Sequence, residues 1–189
     1  MNNFQLIASD MDVTPLLLAI KMKPHLWRED TYLRNYPQGP FGDVESIMLR
    51  FPVKSVRETQ AELDAHLSQI DQHESIDYPA YKILSEARPL IMWLMSRVGG
   101  ERLGRCMINK VKPGGKITPH ADTPAHAEYY SRFHIVLQSN PESRFRAGEE
   151  TVNMASGDIW WFDNKQVHDV INHGSTDRIH LVVDIRTAR

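Results

Sequence analysis

The chain reads as a mainly β protein with N-terminal helices, in which the helices cover a barrel or sandwich of short strands. Three observations carry that expectation. After Gly100, short runs of β-branched and aromatic residues alternate with Gly, Pro, Asn and Asp turn signals. Before Gly100, apolar stretches open on helix-start signals. The C-terminal strands follow one another at a spacing that suits a barrel or sandwich better than a parallel sheet with crossover helices.

Element by element, Thr14-Pro15 reads as an N-cap followed by proline at the first helical position, opening a helix over Leu16 to Lys21. Pro24 and then Pro37-Gln38-Gly39-Pro40 mark irregular chain and a turn. Ser46 to Val53 alternates, with Ile47, Leu49 and Phe51 on one face and Met48 and Arg50 on the other, which is the pattern of a half-buried strand. Ser55 with Glu58 forms a capping box that predicts a helix to about Ile70. A further helical stretch is expected from Pro79, interrupted at Pro89 and stopped by Gly99-Gly100. Strands are then expected at Arg105 to Val111, Phe133 to Gln138, Asp158 to Phe162, Val167 to Asn172 and Arg178 to Ile185. The whole chain, 1–189, is expected to form one domain. Residues 1–100 would be a mainly helical layer with one strand, and 101–189 the β core.

Composition narrows the function. With 22 Lys and Arg against 24 Asp and Glu, the net charge of −2 provides no basic field for nucleic acid or anionic lipid. The single cysteine cannot form an intrachain disulfide, which suits a reducing, cytoplasmic setting. The apolar run Pro15 to Ile20 is far shorter than the ~20 residues that span a bilayer, and no basic segment precedes it as in a signal peptide.

The chemistry is expected around His120-Ala121-Asp122, His168 and Arg178. Two imidazoles and a carboxylate can occupy one face of an octahedral ion and leave three positions open, an arrangement that favours non-haem Fe(II) and oxygen chemistry. In extended chain, residues two apart point the same way, so His120 and Asp122 can address one ion, with His168 supplied by a strand folding back beside them. Alone, a His-x-Asp pair also fits a surface pair after a turn. Arg178 lies ten residues after His168, across the turn His173 to Asp177, and that hairpin length predicts that it sits on the adjacent strand near the metal. Its guanidinium is a natural fork for a carboxylate, although pairing with Asp177 or Glu150 at a strand edge is the structural alternative.

From about Arg105 to Ile185 the sequence resembles the aspartyl/asparaginyl β-hydroxylase family of Fe(II)- and 2-oxoglutarate-dependent dioxygenases. The matching runs are Lys112-Pro113-Gly114-Gly115-Lys116-Ile117-Thr118-Pro119-His120, Arg132-Phe133-His134-Ile135, Gly157-Asp158-Ile159-Trp160-Trp161-Phe162-Asp163-Asn164, His168-Asp169-Val170, and Asp177-Arg178-Ile179-His180-Leu181-Val182-Val183-Asp184. The resemblance implies a double-stranded β-helix (a jelly-roll, cupin-like barrel). It also implies that His120 and His168 bind the metal and that Arg178 holds the distal carboxylate of 2-oxoglutarate. Asp122 departs from the animal peptide hydroxylases, which use two histidines alone, and supplies a third ligand as in the related proline hydroxylases. Arg132 and His134 share one strand face, opposite Phe133, Ile135 and Leu137. On the family pattern His134 and Asn109 would contact the cosubstrate and Arg132 would anchor substrate. Trp160 and Trp161 must point opposite ways, with Trp161 expected near the pocket. Arg50 is expected to help shape substrate specificity, and His180, on Arg178's face, to support the site from behind. His126 is expected to be a surface or structural residue.

The implied cofactors are Fe(II), 2-oxoglutarate and O2. The implied reaction is hydroxylation of an unactivated C–H bond in a free amino acid or an Asp/Asn-type peptide side chain, with release of succinate and CO2. Two other readings fit the same barrel: a metal-dependent hydrolase and a non-catalytic binding or sensor module. The expected partner is thus a small molecule or peptide with an amino-acid-like carboxylate, and neither nucleic acid nor membrane.

Overall fold

The computed structural model describes residues 1–189 except 37, 38, 55–58, 60, 63, 64, 66, 67, 70, 72 and 189. The helix predicted from Ser55 to Ile70 and the turn at Pro37-Gln38 therefore lie largely outside the described residues. Two antiparallel sheets form the body. One has seven strands in the order β1 (Phe4–Ala8), β9 (Ile159–Phe162), β6 (Ser131–Gln138), β11 (Arg178–Thr187), β4 (Gly100–Val111), β2 (Val44–Phe51) and β3 (Ile76–Asp77). The other has four, in the order β5 (Lys116–His120), β10 (His168–Asn172), β7 (Ser143–Ala147) and β8 (Glu150–Val152). The non-sequential strand order within two facing antiparallel sheets is that of a jelly roll.

The large sheet is buried on both faces. On one face Ile47, Leu49, Ile108, Phe133, Ile135, Leu181 and Val183 pack against helices α1 (Thr14–Met22), α4 (Pro79–Ile83) and α5 (Ala87–Arg97), through Leu16, Ile20, Tyr81, Ile91 and Leu94. Two short helices, α2 (Leu26–Glu29) and α3 (Tyr32–Asn35), add Leu26 and Trp27 to that layer. Each of these side chains contributes about 1.5–3 kcal/mol by leaving water, so helices and sheet share one core. On the other face, Val111, Val136, Trp160 and Phe162 meet Ile117, Phe145, Ala147 and Val170 of the small sheet. The site lies between the sheets.

Several expectations need correction. β1 was not anticipated, although it closes an edge of the large sheet by pairing Phe4 with Phe162 and Gln5 with Trp161. β5, β7 and β8 are further unanticipated strands, and Gly148, at φ +56°, turns β7 into β8. The break in the second helical stretch falls between Ile83 and Ala87, not at Pro89, which sits in the first turn of α5. There its missing N–H removes a donor that would have had no helical acceptor. Asp12, not Thr14, supplies the side-chain acceptor at the start of α1, taking the Thr14 N–H at 3.0 Å. A bulge between Met48 and Arg50 shifts the parity of β2, so Phe51 packs with Met48 and not with Ile47 and Leu49. Finally, β10 and β11 are not paired neighbours, because the turn between them passes from the small sheet to the large one.

Candidate functional site

His120 ends β5 and is the antiparallel partner of His168, the first residue of β10. Their ring centroids are 4.2 Å apart. Asp122 follows two residues after β5, where its N–H bonds the Asn164 carbonyl at 3.3 Å. Potential ligand atoms of His120, Asp122 and His168 all lie within 4.8 Å of one another. Both histidines have Nδ1 against a backbone carbonyl two residues earlier, Thr118 O at 2.8 Å and Gln166 O at 2.9 Å. A carbonyl can only accept, so Nδ1 carries the proton and each Nε2 offers its lone pair. Burial pushes the His120 pKa down and that of His168 to about 4, keeping both rings neutral as metal binding requires.

Asp122 is held from two sides. Arg132 Nη1 donates to Oδ1 at 2.9 Å and Asn164 Nδ2 donates to Oδ2 at 2.8 Å. Burial opposes its charge, but the Arg132 guanidinium and the Asn164 amide outweigh that and keep its pKa below the ordinary value. The rest of the Arg132 fork goes to Asp184, with Nε to Oδ1 at 2.7 Å and Nη2 to Oδ2 at 3.0 Å. His126 Nε2 lies 2.8 Å from Asp184 Oδ2. Asp184 is wholly buried. Burial raises its pKa, and the contacts with Arg132 and His126 reverse that to hold it far below the usual carboxylate range. Arg132, expected as a substrate anchor, is thus committed to two protein carboxylates.

A cavity of about 390 Å³, counting its open mouth, is lined by His120, His168, Arg132, His134, Asn109, Phe145 and Phe162, with Phe41, Met107, Ile117, Val170 and Val182. Asn109 Oδ1 accepts the Ser46 hydroxyl at 2.8 Å. Behind His134 and Phe145 lies Arg178, 2% exposed, its guanidinium 5.7 Å from the Phe145 ring centre. Its Nη2 donates to His180 Nδ1 at 3.1 Å, and no carboxylate lies within ion-pair distance among the described residues. Burial alone lowers its pKa to about 9. Arginine only donates, so His180 Nδ1 is an acceptor; His134 Nδ1, 3.2 Å from it, must then donate. That leaves His134 Nε2 with the lone pair, and the buried His180 Nε2 without a partner among the described residues. Burial, reinforced by Arg178, holds both rings neutral, with pKa values well below the ordinary one.

The structure does not bring every expected residue here. Arg50 pairs with Asp77 and donates to the Ser75 carbonyl at 2.7 Å, away from the cavity lining. Trp161 faces the helical core, while Phe162, which was not singled out, lines the cavity. Asp184, Asn164 and the engagement of His126 were also missed. Asp184 could have been found, because it falls on the face of β11 that carries Arg178 and His180.

The fold and this cluster define a jelly-roll protein with a His–Asp–His group between its sheets. The family profile described as Aspartyl/Asparaginyl beta-hydroxylase matches residues 80–188, more than half of the chain. The chain belongs to that family. It is 30% identical over 77 residues to L-proline cis-4-hydroxylase of Rhizobium meliloti (strain 1021), a match covering 41% of this chain and 28% of the relative. It is 28% identical over 89 residues to L-proline cis-3-hydroxylase 1 of a Streptomyces species, covering 46% and 30%. The match thus spans less than a third of these curated relatives. Among solved structures, AviO1 of Streptomyces viridochromogenes Tue57 superposes with a TM-score of 0.57 at 13% identity, covering 98% of this chain and 90% of that one. A Pseudomonas putida prolyl-4-hydroxylase does so with 0.51 at 15% identity, covering 100% and 95%. These likenesses show the shared fold. Among the described residues, no helix is long and apolar enough to cross a membrane.

Proposed function

We propose that the chain is an Fe(II)- and 2-oxoglutarate-dependent dioxygenase that hydroxylates an unactivated C–H bond of a small, amino-acid-like substrate, and that it works as one domain. The observation that carries this reading is Arg178. A charged guanidinium shielded from water without an anionic partner is costly, and a dicarboxylate reaching past the metal cluster would supply that partner. A hydrolytic metal site or a plain binding module has no need of a second, dedicated carboxylate clamp.

His120, Asp122 and His168 would hold the ion, and their two neutral nitrogens and one carboxylate suit Fe(II) with positions left open. When bound, the iron and the keto acid supply the oxidising chemistry that consumes O2 and yields succinate and CO2. The chain's own part is placement. Thr118 and Gln166 carbonyls aim the imidazoles, and Arg132 with Asn164 fixes the carboxylate. Arg178 would bind the distal carboxylate, with His134 and Asn109 beside the cosubstrate, and Phe145 and Phe162 would keep water from the pocket. The relatives named as L-proline hydroxylases support a free amino acid over a peptide as substrate.

The test is anaerobic titration of 2-oxoglutarate into the Fe(II)-loaded protein, read by the metal-to-ligand charge-transfer band, followed by aerobic succinate assay. Arg178→Lys keeps a charge but loses the paired geometry, and a charged hydrogen bond is worth ~1.5–3 kcal/mol, so cosubstrate affinity should fall about tenfold or more. Metal affinity should hold. No band in the parent protein, or unchanged affinity in the variant, would count against the proposal.

A further inference from the structure

We infer that Arg105 is the anchor for a substrate monocarboxylate, and that the substrate presents an apolar body to the wall formed by Phe51, Met107 and Val182. The inference rests on the proposed function and names the substrate class for that site. Its basis is the pairing of charges between the sheets. Arg132 is matched by Asp184, Asp122 is assigned to the ion, and Arg178 to the distal carboxylate of the cosubstrate. Arg105 is left over. It makes no ion pair or hydrogen bond among the described residues, its Nε is shielded from solvent without a partner, and its guanidinium lies 5.0 Å from the Phe51 ring centre.

Its position follows from strand register. In β4, Met107 and Asn109 face the cavity, and Arg105 continues that row by two residues toward Asp184. Its guanidinium lies over Phe51, which packs with Met107 and Val182 of the cavity face, so it stands on the same side of the sheet as the His–Asp–His cluster. Phe51 joins it to the cavity, because Phe51 packs with Met48, Met107 and Val182, and the last two line the pocket. Tyr32 packs edge-on to Phe51 at 6.0 Å and extends the apolar wall. A cation at one end of an aromatic and aliphatic wall, with the metal cluster alongside, fits an aliphatic or saturated-ring carboxylate. Arg105 lies just beyond the cavity lining, and a second acidic group does not fit, since among the described residues the one Arg or Lys of that lining, Arg132, is already matched by Asp184 and Asp122. Burial lowers the pKa of Arg105, a strain that an incoming carboxylate would relieve.

The experiment is calorimetric titration of the anaerobic protein, saturated with Fe(II) and 2-oxoglutarate, with the proteinogenic amino acids as free acids and as C-terminal amides. The charge-transfer band is recorded first, so that failure of the cosubstrate reading is seen separately. The inference expects at least one apolar amino acid to bind as the acid and its amide to bind at least tenfold more weakly. Arg105→Met should lose that preference while keeping the parent's 2-oxoglutarate affinity, and Arg105→Lys should retain part of it. A parent that binds no free acid, or binds acid and amide alike, would overturn the inference, as would an Arg105→Met protein that keeps the preference.

Discussion

Replacing Asp184 by Asn tests whether the buried network behind the His–Asp–His cluster positions Asp122. Asp184 is fully buried and accepts from Arg132 Nε at 2.7 Å and Nη2 at 3.0 Å, with His126 Nε2 at 2.8 Å. Asparagine is nearly the same size, but it is uncharged and its NH2 must face one of these donors. Losing one partner of a buried ion pair costs about 3–5 kcal/mol, a large part of the ~5–15 kcal/mol that holds a domain folded. Arg132 would then keep a single carboxylate, Asp122, and draw on it more strongly. Asn164 still bonds the other oxygen of Asp122, so the ion should be weakened and not lost, by about 10–100-fold as for other residues that orient metal ligands. Urea unfolding of metal-free protein gives the first quantity, free of linkage to metal, and competition with a chelator for Co(II) gives the second. The reasoning fails if Asp184→Asn unfolds within 1 kcal/mol of the parent and binds Co(II) equally well.

Acid should destabilise the metal-free protein earlier than its carboxylates would suggest. His134, His168 and His180 are held neutral by burial below the ordinary histidine pKa. Below about pH 6.5 the unfolded chain takes up protons that the folded one refuses, so stability falls as pH falls, by up to ~1.4 kcal/mol per pH unit for each ring. Asp184, with its lowered pKa, adds to the loss only below about pH 4. Urea midpoints at pH 7.5, 6.5 and 5.5 measure this, and a flat profile to pH 5.5 contradicts it. Gly104→Ala would place a Cβ 2.8 Å from the Tyr130 ring and 3.2 Å from the Asp184 carbonyl oxygen. Tyr130 is buried and its hydroxyl donates to the His73 carbonyl at 2.6 Å, so it cannot swing away freely. A loss of about 1–3 kcal/mol in the same unfolding assay is expected.

The sequence made the C-terminal strands legible because turn residues bracket them, and it hid those that lack such brackets. β1 finds its partner about 155 residues away, and nothing local marks Phe4–Ala8 as an edge strand. β7 and β8 were hidden by charge: Arg144, Arg146, Glu149 and Glu150 are interleaved with Phe145, Ala147 and Val152, which turn inward. At Pro89 the rule that proline breaks a helix was applied without its exception for the first turn. For Arg178, hairpin length pointed to the strand paired with β10, and that partner was wrong. The turn after β10 crosses between sheets, so Arg178 faces the site from the opposite wall and not from the next strand.

At the site, alternation recovered which residues travel together but not which face looks at the cavity. That gap explains the misplacement of Trp161. The large sheet is buried on both sides, so an apolar face no longer signals the interior and a Trp–Trp pair carries no direction. Polarity does carry one. Ser46, Asn109, Arg132, His134, Arg178, His180 and Asp184 are the buried polar residues of the large sheet's described strands, and strand parity puts them all on the cavity side. A buried polar group needs a partner or a ligand, and the helix-facing side offers neither. Antiparallel partners share a face, so Arg132 opposite Phe162 and His134 opposite Trp160 put those two aromatics on the cavity side. Trp161, opposite Phe133, then has to face the helices, and Phe162 comes to lie against His168 of the His–Asp–His cluster.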